Sequence, residues 1–300
     1  MVYTVTFNPA VDYIVHTKQL IAGATNRSDS EEIYFGGKGI NVSIVLSELG
    51  VKSKALGFVA GFTGEAIENG VAEKGIDADF VHLNEGFSRI NVKIKSSEET
   101  ELNGQGPKIT DEAIRELYAK LDEIQDGDTL VLAGSIPSSL PADIYERILE
   151  RLSGKKIRAV VDATNDLLLN VLKYRPFLIK PNNFELGEIF GVEMKSAEDI
   201  VKYAGKLKEM GAQNVLVSMA GDGAVLLDEN GKTHVCGVCR GKVKNSVGAG
   251  DSMVAGFVAG CEKGDYEYAL KLGTASGGAT AFSEGLAEKD RIYELLGQLG

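Results

Sequence analysis

The 300-residue chain predicts an α/β protein built on one mostly parallel sheet with helices on both faces, a three-layer sandwich. Two patterns predict it. Short apolar runs alternate with segments of helical period along almost the whole chain, and glycine or polar clusters recur just beyond those runs. A third observation sets the scale: 44% of the residues are hydrophobic and 25% charged, a globular balance with enough apolar surface for one large core.

The apolar runs are VYTVTF (2–7), KALGFV (54–59), TLVLAG (129–134), IRAVVDA (157–163), PFLIK (176–180) and NVLVSMA (214–220). Between them, DEAIRELYAKLDEI (111–124) and AEDIVKYAGKLKEM (197–210) carry apolar residues three and four apart, as amphipathic helices do. Each crossover helix must return the chain to the same edge, so strands in this order run parallel and are covered on both sides. No tandem repeat, low-complexity tract or proline-rich linker divides the chain, and residues 1–300 are expected to form a single domain.

Two segments, about 12–35 and 87–106, depart from this rhythm. In RINVKIKSS, Ile90, Val92 and Ile94 fall on one face of a strand, and Arg89, Asn91, Lys93 and Lys95 on the other. These segments predict a small antiparallel sheet inserted at the edge of the main domain, a lid. So few strands cannot stand alone, which leaves two readings: hairpins packed permanently on the core, or a mobile, dimer-forming lid whose apolar face is covered by a second copy of the chain.

Composition excludes several function classes. A net charge of −11 opposes a nucleic-acid partner, because Lys and Arg supply most of the affinity for a polyanion, although a small anion held by a few local cations remains compatible. No run reaches the roughly 18 apolar residues of a membrane span. The start MVYTVTFNPAVD reads as a strand entering a polar turn rather than a basic leader and apolar signal core. Three cysteines, an odd number, fit a reducing compartment, so a cytoplasmic location is expected. Cys236 and Cys239, preceded by His234, invite a zinc or redox reading. However, KTHVCGVCRGKV alternates like a strand, on which residues three apart diverge, and a structural zinc site wants four ligands while Cys261 lies on a later helix. The pair is expected to pack in a strand.

Chemistry concentrates in three clusters. In NSVGAGDSMVAGF (245–257), Gly248, Ala249, Gly250 and Asp251 occupy the first turn of a helix rich in small residues. The opening N–H groups of a helix lack intrahelical acceptors and carry partial positive charge, and glycines let an anion approach them closely. A carboxylate placed there repels phosphate unless it has a task such as accepting a proton, and phosphoryl transfer supplies one; close helix packing is the plainer reading of the glycines. The second cluster, Gly36-Gly37-Lys38-Gly39-Ile40-Asn41, also opens a helix but is not a Walker A loop, since Gly39 stands where Ser or Thr belongs. The third, Lys180-Pro181-Asn182-Asn183-Phe184-Glu185, follows a buried strand. Ligands bind at the C-terminal edge of open α/β sheets, where all three clusters should converge.

GGKGINVSIVLSELG (36–50) and NSVGAGDSMVAGF resemble the N-terminal and C-terminal signatures of the PfkB (ribokinase-like) family of carbohydrate kinases, and the resemblance extends over essentially the whole chain. TVTFNPAVD, NR (26–27), SRINVKI (88–94), LNGQGP (102–107) and AGSIPSSLP (133–141) are similar to the phosphosugar branch of that family. The resemblance implies a ribokinase-like fold, ATP and Mg2+ as cofactors, and phosphorylation of fructose 1-phosphate at its 6-hydroxyl, with tagatose 6-phosphate phosphorylated at C1 as the alternative. It implies Asp251 as general base and the amides of Gly248, Ala249 and Gly250 as an anion hole for the transferred phosphoryl. Glu185 and Asn182 would help hold Mg2+. Lys180, Asn182, Ser218, Gly221, Gly223 and Ser246 would serve the nucleotide, with Ala220 standing where many members have glycine. Asp12, Gly36, Gly37 and Asn41 would meet the sugar, and Arg27, Lys38, Arg89 and Ser135 its phosphate. Arg rewards such a substrate with bidentate bonds, although a solvated lid face also explains Arg27 and Arg89, and turn capping Asp12. A non-catalytic phosphosugar sensor and an adenosine-kinase-like enzyme are the competing readings. The intact Asp251 opposes the first, and the Arg27, Lys38 and Arg89 set the second. A homodimer formed through the lid is expected.

Overall fold

The computed structural model describes residues 1–300. Its strands are β1 (Val2–Thr6), β2 (Ala10–His16), β3 (Ser30–Gly36), β4 (Ser53–Ala60), β5 (Asp77–Ala78), β6 (Val81–Leu83), β7 (Arg89–Lys95), β8 (Glu99–Asn103), β9 (Thr129–Ala133), β10 (Arg158–Asp162), β11 (Leu178–Ile179), β12 (Asn214–Ser218), β13 (Ala224–Leu227) and β14 (Thr233–Cys236). The helices are α1 (Lys38–Glu48), α2 (Gly61–Glu73), α3 (Asp111–Leu121), α4 (Ile144–Arg151), α5 (Asn165–Val171), α6 (Asn183–Phe190), α7 (Ala197–Glu209), α8 (Ala249–Cys261), α9 (Tyr266–Ala281) and α10 (Lys289–Leu296).

Ten strands form the main sheet in the order β14-β13-β12-β11-β10-β9-β1-β4-β5, with β6 also paired to β4. From β12 to β5 every pairing is parallel; only β12-β13 and β13-β14 are antiparallel. Parallel strands buried on both faces should read as unbroken apolar runs, and β1 and β9 are buried at every position. On one face α3 to α7 pack through residues such as Leu117, Ile148, Leu186 and Leu207; on the other, α1, α8, α9 and α10 pack through Val45, Phe257, Leu270 and Leu295. The two layers of helix supply the sandwich that the alternation of elements predicted.

PFLIK pairs over only Leu178–Ile179, because Pro176 and Pro181 bracket it and neither can donate to a ladder. KTHVCGVCRGKV does not form one strand as expected: β14 stops at Cys236, so the argument from alternating faces does not govern Cys239. Both thiols are nonetheless buried in the apolar layer beside α9 and α10, and the Cys239 thiol faces the Leu295 carbonyl at 3.8 Å. No helix is long and apolar enough to cross a membrane.

β3-β2-β7-β8 form a separate four-stranded sheet. It is not wholly antiparallel as expected, since its central pair, β2 and β7, runs parallel. The two strands come from distant parts of the chain, and each leaves the main sheet in the same direction. Val11, Phe35 and Ile90 pack with Ile40, Val59 and Ile67 to seat this sheet on α1, α2 and β4. Their faces continue outward through Tyr13, Val15, Val92 and Ile94, which are half-buried, and end in Ile33 and Leu102, 58% and 71% exposed. The opposite face carries the polar set and looks into a cleft.

Candidate active site

The cleft, a cavity of about 440 Å3, lies where the C-terminal ends of β10, β11 and β12 meet the polar face of the small sheet. Three rows cross that face, set by strand register: Ala10 beside Arg89; Asp12 beside Asn91 and Asn103; Ile14 beside Lys93 and Glu101. The body contributes Lys38 and Asn41 from α1, Asp162 from the end of β10, Lys180, Asn182, Glu185 and Ser218 beyond β11 and β12, and Gly248, Gly250 and Asp251 from the start of α8.

Asp251 is 5% exposed, and its Oδ2 accepts from Asn41 Nδ2 at 2.8 Å. Burial pushes its carboxyl up to about 6; the nearby charge of Asp162 adds to this, while Asn41, Lys38 and Lys180 oppose it. Asp162, also buried, pairs through one oxygen with Lys180 Nζ (3.3 Å) and through the other with Lys38 Nζ (3.4 Å). Burial opposes its charge, but the two ammonium groups outweigh that and hold it below the usual carboxylate range. Lys38 is in turn held above its ordinary value: burial works against its charge, and Asp162 and Asp251 prevail.

Gly248, the N-cap of α8, has φ 79° and ψ −2°, a left-handed conformation that glycine adopts freely. No side chain caps this helix. The amides of Gly248, Gly250 and Asp251 find no acceptor within the protein, whereas Ala249 N–H is already bonded to the Ser246 carbonyl at 3.2 Å. Of the three amides expected as an anion hole, two are therefore open. The sequence did not point to Asp251 N–H, which is open as well. Farther along α8 the glycines do serve packing: a Cβ at Gly256 would lie 2.6 Å from the Leu272 carbonyl of α9. Close helix packing, the plainer reading of the glycines, thus holds on this later turn.

At α6, Asn182 Oδ1 accepts from Glu185 N–H and Glu185 Oε2 accepts from Asn182 N–H, both at 2.8 Å, a complete capping box. Glu185 Oε1 is left without a partner. Asp12 Oδ1 accepts from Asn91 Nδ2 at 2.8 Å, and Arg89 donates through Nε to the Asn8 carbonyl at 3.0 Å. Burial lowers the Arg89 pKa, and Asp12 works in the other direction.

Of the residues expected in the site, Asp251, Gly248, Gly250, Asp12, Gly37, Lys38, Asn41, Arg89, Lys180, Asn182, Glu185 and Ser218 line this one cavity. Gly36 lines the adjoining cavity of about 690 Å3 beneath β3, which meets the first at Asp12, Asn41, Lys93 and Val247. Arg27 lies on the exposed connection between β2 and β3, and Ser135 is exposed beyond β9; neither lines the cleft. Gly221, Gly223 and Ser246 also lie outside it. Ala220 takes φ 48°, the left-handed region in which a Cβ is strained and glycine is not. Asp162, Asn91, Lys93, Glu101 and Asn103 were not singled out from sequence. Asp162 carried one usable signal, an acid closing an apolar strand at the ligand edge.

A buried carboxylate able to take a proton, facing open helix-start amides at the C-terminal edge of a parallel sheet, has the requirements of a phosphotransferase acting on an alcohol. The chain belongs to the pfkB family of carbohydrate kinases, whose family model matches residues 5–291. It is similar to a 1-phosphofructokinase of Bacillus subtilis, 50% identical over 297 residues covering 99% of this chain and 97% of that protein. A D-tagatose-1-phosphate kinase of Bacillus licheniformis is 38% identical over 301 residues, 100% of this chain and 98% of that protein. Among solved structures, phosphofructokinase-2 of Escherichia coli in complex with substrates and products matches with a TM-score of 0.91 at 26% identity, over 99% of each chain. The tagatose phosphate named among these relatives is the 1-phosphate, not the 6-phosphate expected from sequence.

Proposed function

We propose that the protein is an ATP-dependent 1-phosphofructokinase that transfers the γ-phosphoryl of ATP to the 6-hydroxyl of fructose 1-phosphate. The observation that carries this reading is Asp251: a buried carboxylate with its pKa raised to about 6, beside unpaired helix-start amides, is a base poised for an alcohol proton near neutral pH. In the reaction Asp251 Oδ takes the proton of the 6-hydroxyl as the oxygen bonds to the γ-phosphorus and the bond from that phosphorus to the β–γ bridging oxygen breaks, with ADP as the leaving group. The amides of Gly248, Gly250 and Asp251 receive the charge on the transferred group. Asn41 holds Asp251 in place, and Asp162 holds Lys38 and Lys180 at the cleft, where their charges meet those of the phosphates.

Mg2+ would be held by Glu185, through the oxygen its capping box leaves free, with Asn182 beside it. The chain offers no cluster of three or more His, Cys, Asp or Glu for a metal, which suits an ion that keeps several waters and takes its other ligands from the nucleotide phosphates. When bound, the ion supplies charge neutralisation across the phosphates. The apolar face ending in Ile33 and Leu102 supports a homodimer closed lid against lid, and three buried free thiols support a reducing, cytoplasmic setting.

ADP release in the presence of ATP, Mg2+ and fructose 1-phosphate tests the reading; D-tagatose 1-phosphate is the competing acceptor, since it presents its phosphate and free hydroxyl at the same ends. A higher kcat/KM on tagatose 1-phosphate would overturn the choice of sugar, and no turnover on either would overturn the activity. Light scattering that returns a monomer at working concentration would remove the dimer.

A further inference from the structure

We infer that strand β7 of the small sheet selects the acceptor, with Asn91 taking a sugar hydroxyl and Lys93 the phosphate the sugar already carries. The inference deepens the proposed kinase function and rests on it.

Two unmet bonding capacities point there. Asn91 is 7% exposed, and its Oδ1 is buried without any hydrogen-bond partner. The amide cannot be turned to satisfy it, because its Nδ2 is committed to Asp12 Oδ1 at 2.8 Å and the reversed amide would set two acceptors face to face. A buried acceptor left open costs about 1–3 kcal/mol, so the site asks for a donor, and the neighbouring Asp12 carboxylate accepts as well. Two acceptors side by side recognise hydroxyl groups.

Lys93 stands two residues farther along the same face, on the row beyond Asn91. Its side chain is 11% exposed, and its one ionic partner is Glu101, directly across on β8 at 3.8 Å, beyond hydrogen-bond reach. The stem is largely covered while the ammonium opens onto the cleft with three donors, and no group of the chain accepts a hydrogen bond from it. On the small sheet the carboxylates nearest it in register are Glu101 and, a row away, Asp12, with Ile14 flanking it on β2; the adjoining cavity, which Lys93 also lines, carries Glu48, Glu73, Glu284 and Glu288. A phosphate entering here replaces a distant ion pair with charge-assisted bonds. Of the groups expected to meet this phosphate, Arg27 and Ser135 lie outside the cleft and Lys38, on α1, is paired with Asp162, which leaves Arg89 and Lys93 as its cations on the small sheet.

Lys93→Met keeps the length of the side chain and removes the charge. The expected result is a KM for fructose 1-phosphate raised about 10- to 100-fold, with kcat within a few-fold, the KM for ATP unmoved and most of the affinity restored in Lys93→Arg. Glu101→Gln should leave the KM for fructose 1-phosphate unchanged or lower, because it releases Lys93. Asn91→Ala should weaken fructose 1-phosphate while sparing ATP. Calorimetric titration of fructose 1-phosphate without nucleotide should show the Lys93→Met loss directly, and unphosphorylated fructose should bind the variant and the parent alike. An unchanged affinity for fructose 1-phosphate in Lys93→Met, or equal losses for both nucleotide and sugar, overturns the assignment. Failure of the kinase reading is separately visible as absent ADP release by the parent protein, while the calorimetry still reads the phosphate contact.

Discussion

Helices α6 and α8 both begin at the ligand edge of the sheet, and they solve the problem of their opening N–H groups in opposite ways. α6 satisfies its own donors with Asn182 and Glu185 in a reciprocal box, whereas α8 starts from a left-handed glycine with no side-chain cap and leaves amides open beside Asp251. The difference shows that an uncapped helix start is informative only through what stands beside it. α3, α7 and α9 are capped as α6 is, by Thr110, Ser196 and Asp265, whereas α1, α2, α4, α5 and α10 lack a side-chain cap as α8 does; what sets α8 apart is the left-handed glycine and the buried acid at its start. The open start is paired with a buried acid, and the pairing costs stability.

The largest expected effect tests that cost. Asp251→Asn should lower kcat by about 10² to 10⁴ while leaving substrate Kd within a few-fold, by steady-state kinetics and titration. Because folding raises this carboxyl from an ordinary 3.8 to about 6, the folded state holds the proton more tightly, and stability falls as pH rises from about 4 to about 6. At pH 7 the ionised group opposes folding by roughly 2–3 kcal/mol, so Asp251→Asn should raise Tm there even as it removes activity. The parent's kcat/KM should fall about tenfold per pH unit below about 6 and level off above it. A flat profile to pH 5 would break the comparison at its centre.

Gly248→Ala acts on the open start itself. Its φ of 79° costs a Cβ about 1 kcal/mol, and that atom would lie 2.7 Å from Leu286 Cδ2, so a loss of stability should accompany a loss of kcat of about tenfold or more. A variant as active as the parent would mean that the turn has no part in phosphoryl transfer. Glu185 separates capping from metal binding. Gln at 185 can still accept from Asn182 N–H, so stability should change by less than about 1 kcal/mol while the Mg2+ concentration for half-maximal rate rises several-fold; Ala should lose the cap as well, at about 1 kcal/mol. Equal Mg2+ requirements in the parent and the Gln variant would reduce this motif to a cap. The smallest effect is Ala220→Gly, which should stabilise by up to about 1 kcal/mol in thermal unfolding by relieving φ 48° without changing kcat.

Much of this site was legible as clusters. Gly248 to Asp251, Lys38 with Asn41, and Lys180 through Glu185 each sit where a strand ends or a helix starts, positions marked by local composition. Asp162 was legible only as an acid closing the apolar run AVVDA, and its meaning comes from Lys38, 124 residues away, and from Lys180. Asn91 and Lys93 were visible only as the polar half of an alternating strand. Arg27 and Ser135 carried the right chemistry in the right stretches, yet the backbone leads them outside the cleft.

The order of strands and helices, the two-sided burial of the sheet and the presence of a glycine-rich helix start at the ligand edge follow from the amino-acid pattern, since periodicity and local propensity act within a few residues. Which acid is buried beside which, how far its pKa moves, and which polar face of the small sheet meets the cleft depend on long-range packing. Desolvation and charge pairing are properties of a shared enclosure, and the chain builds that enclosure only when segments more than two hundred residues apart, such as Asn41 and Asp251, come into contact.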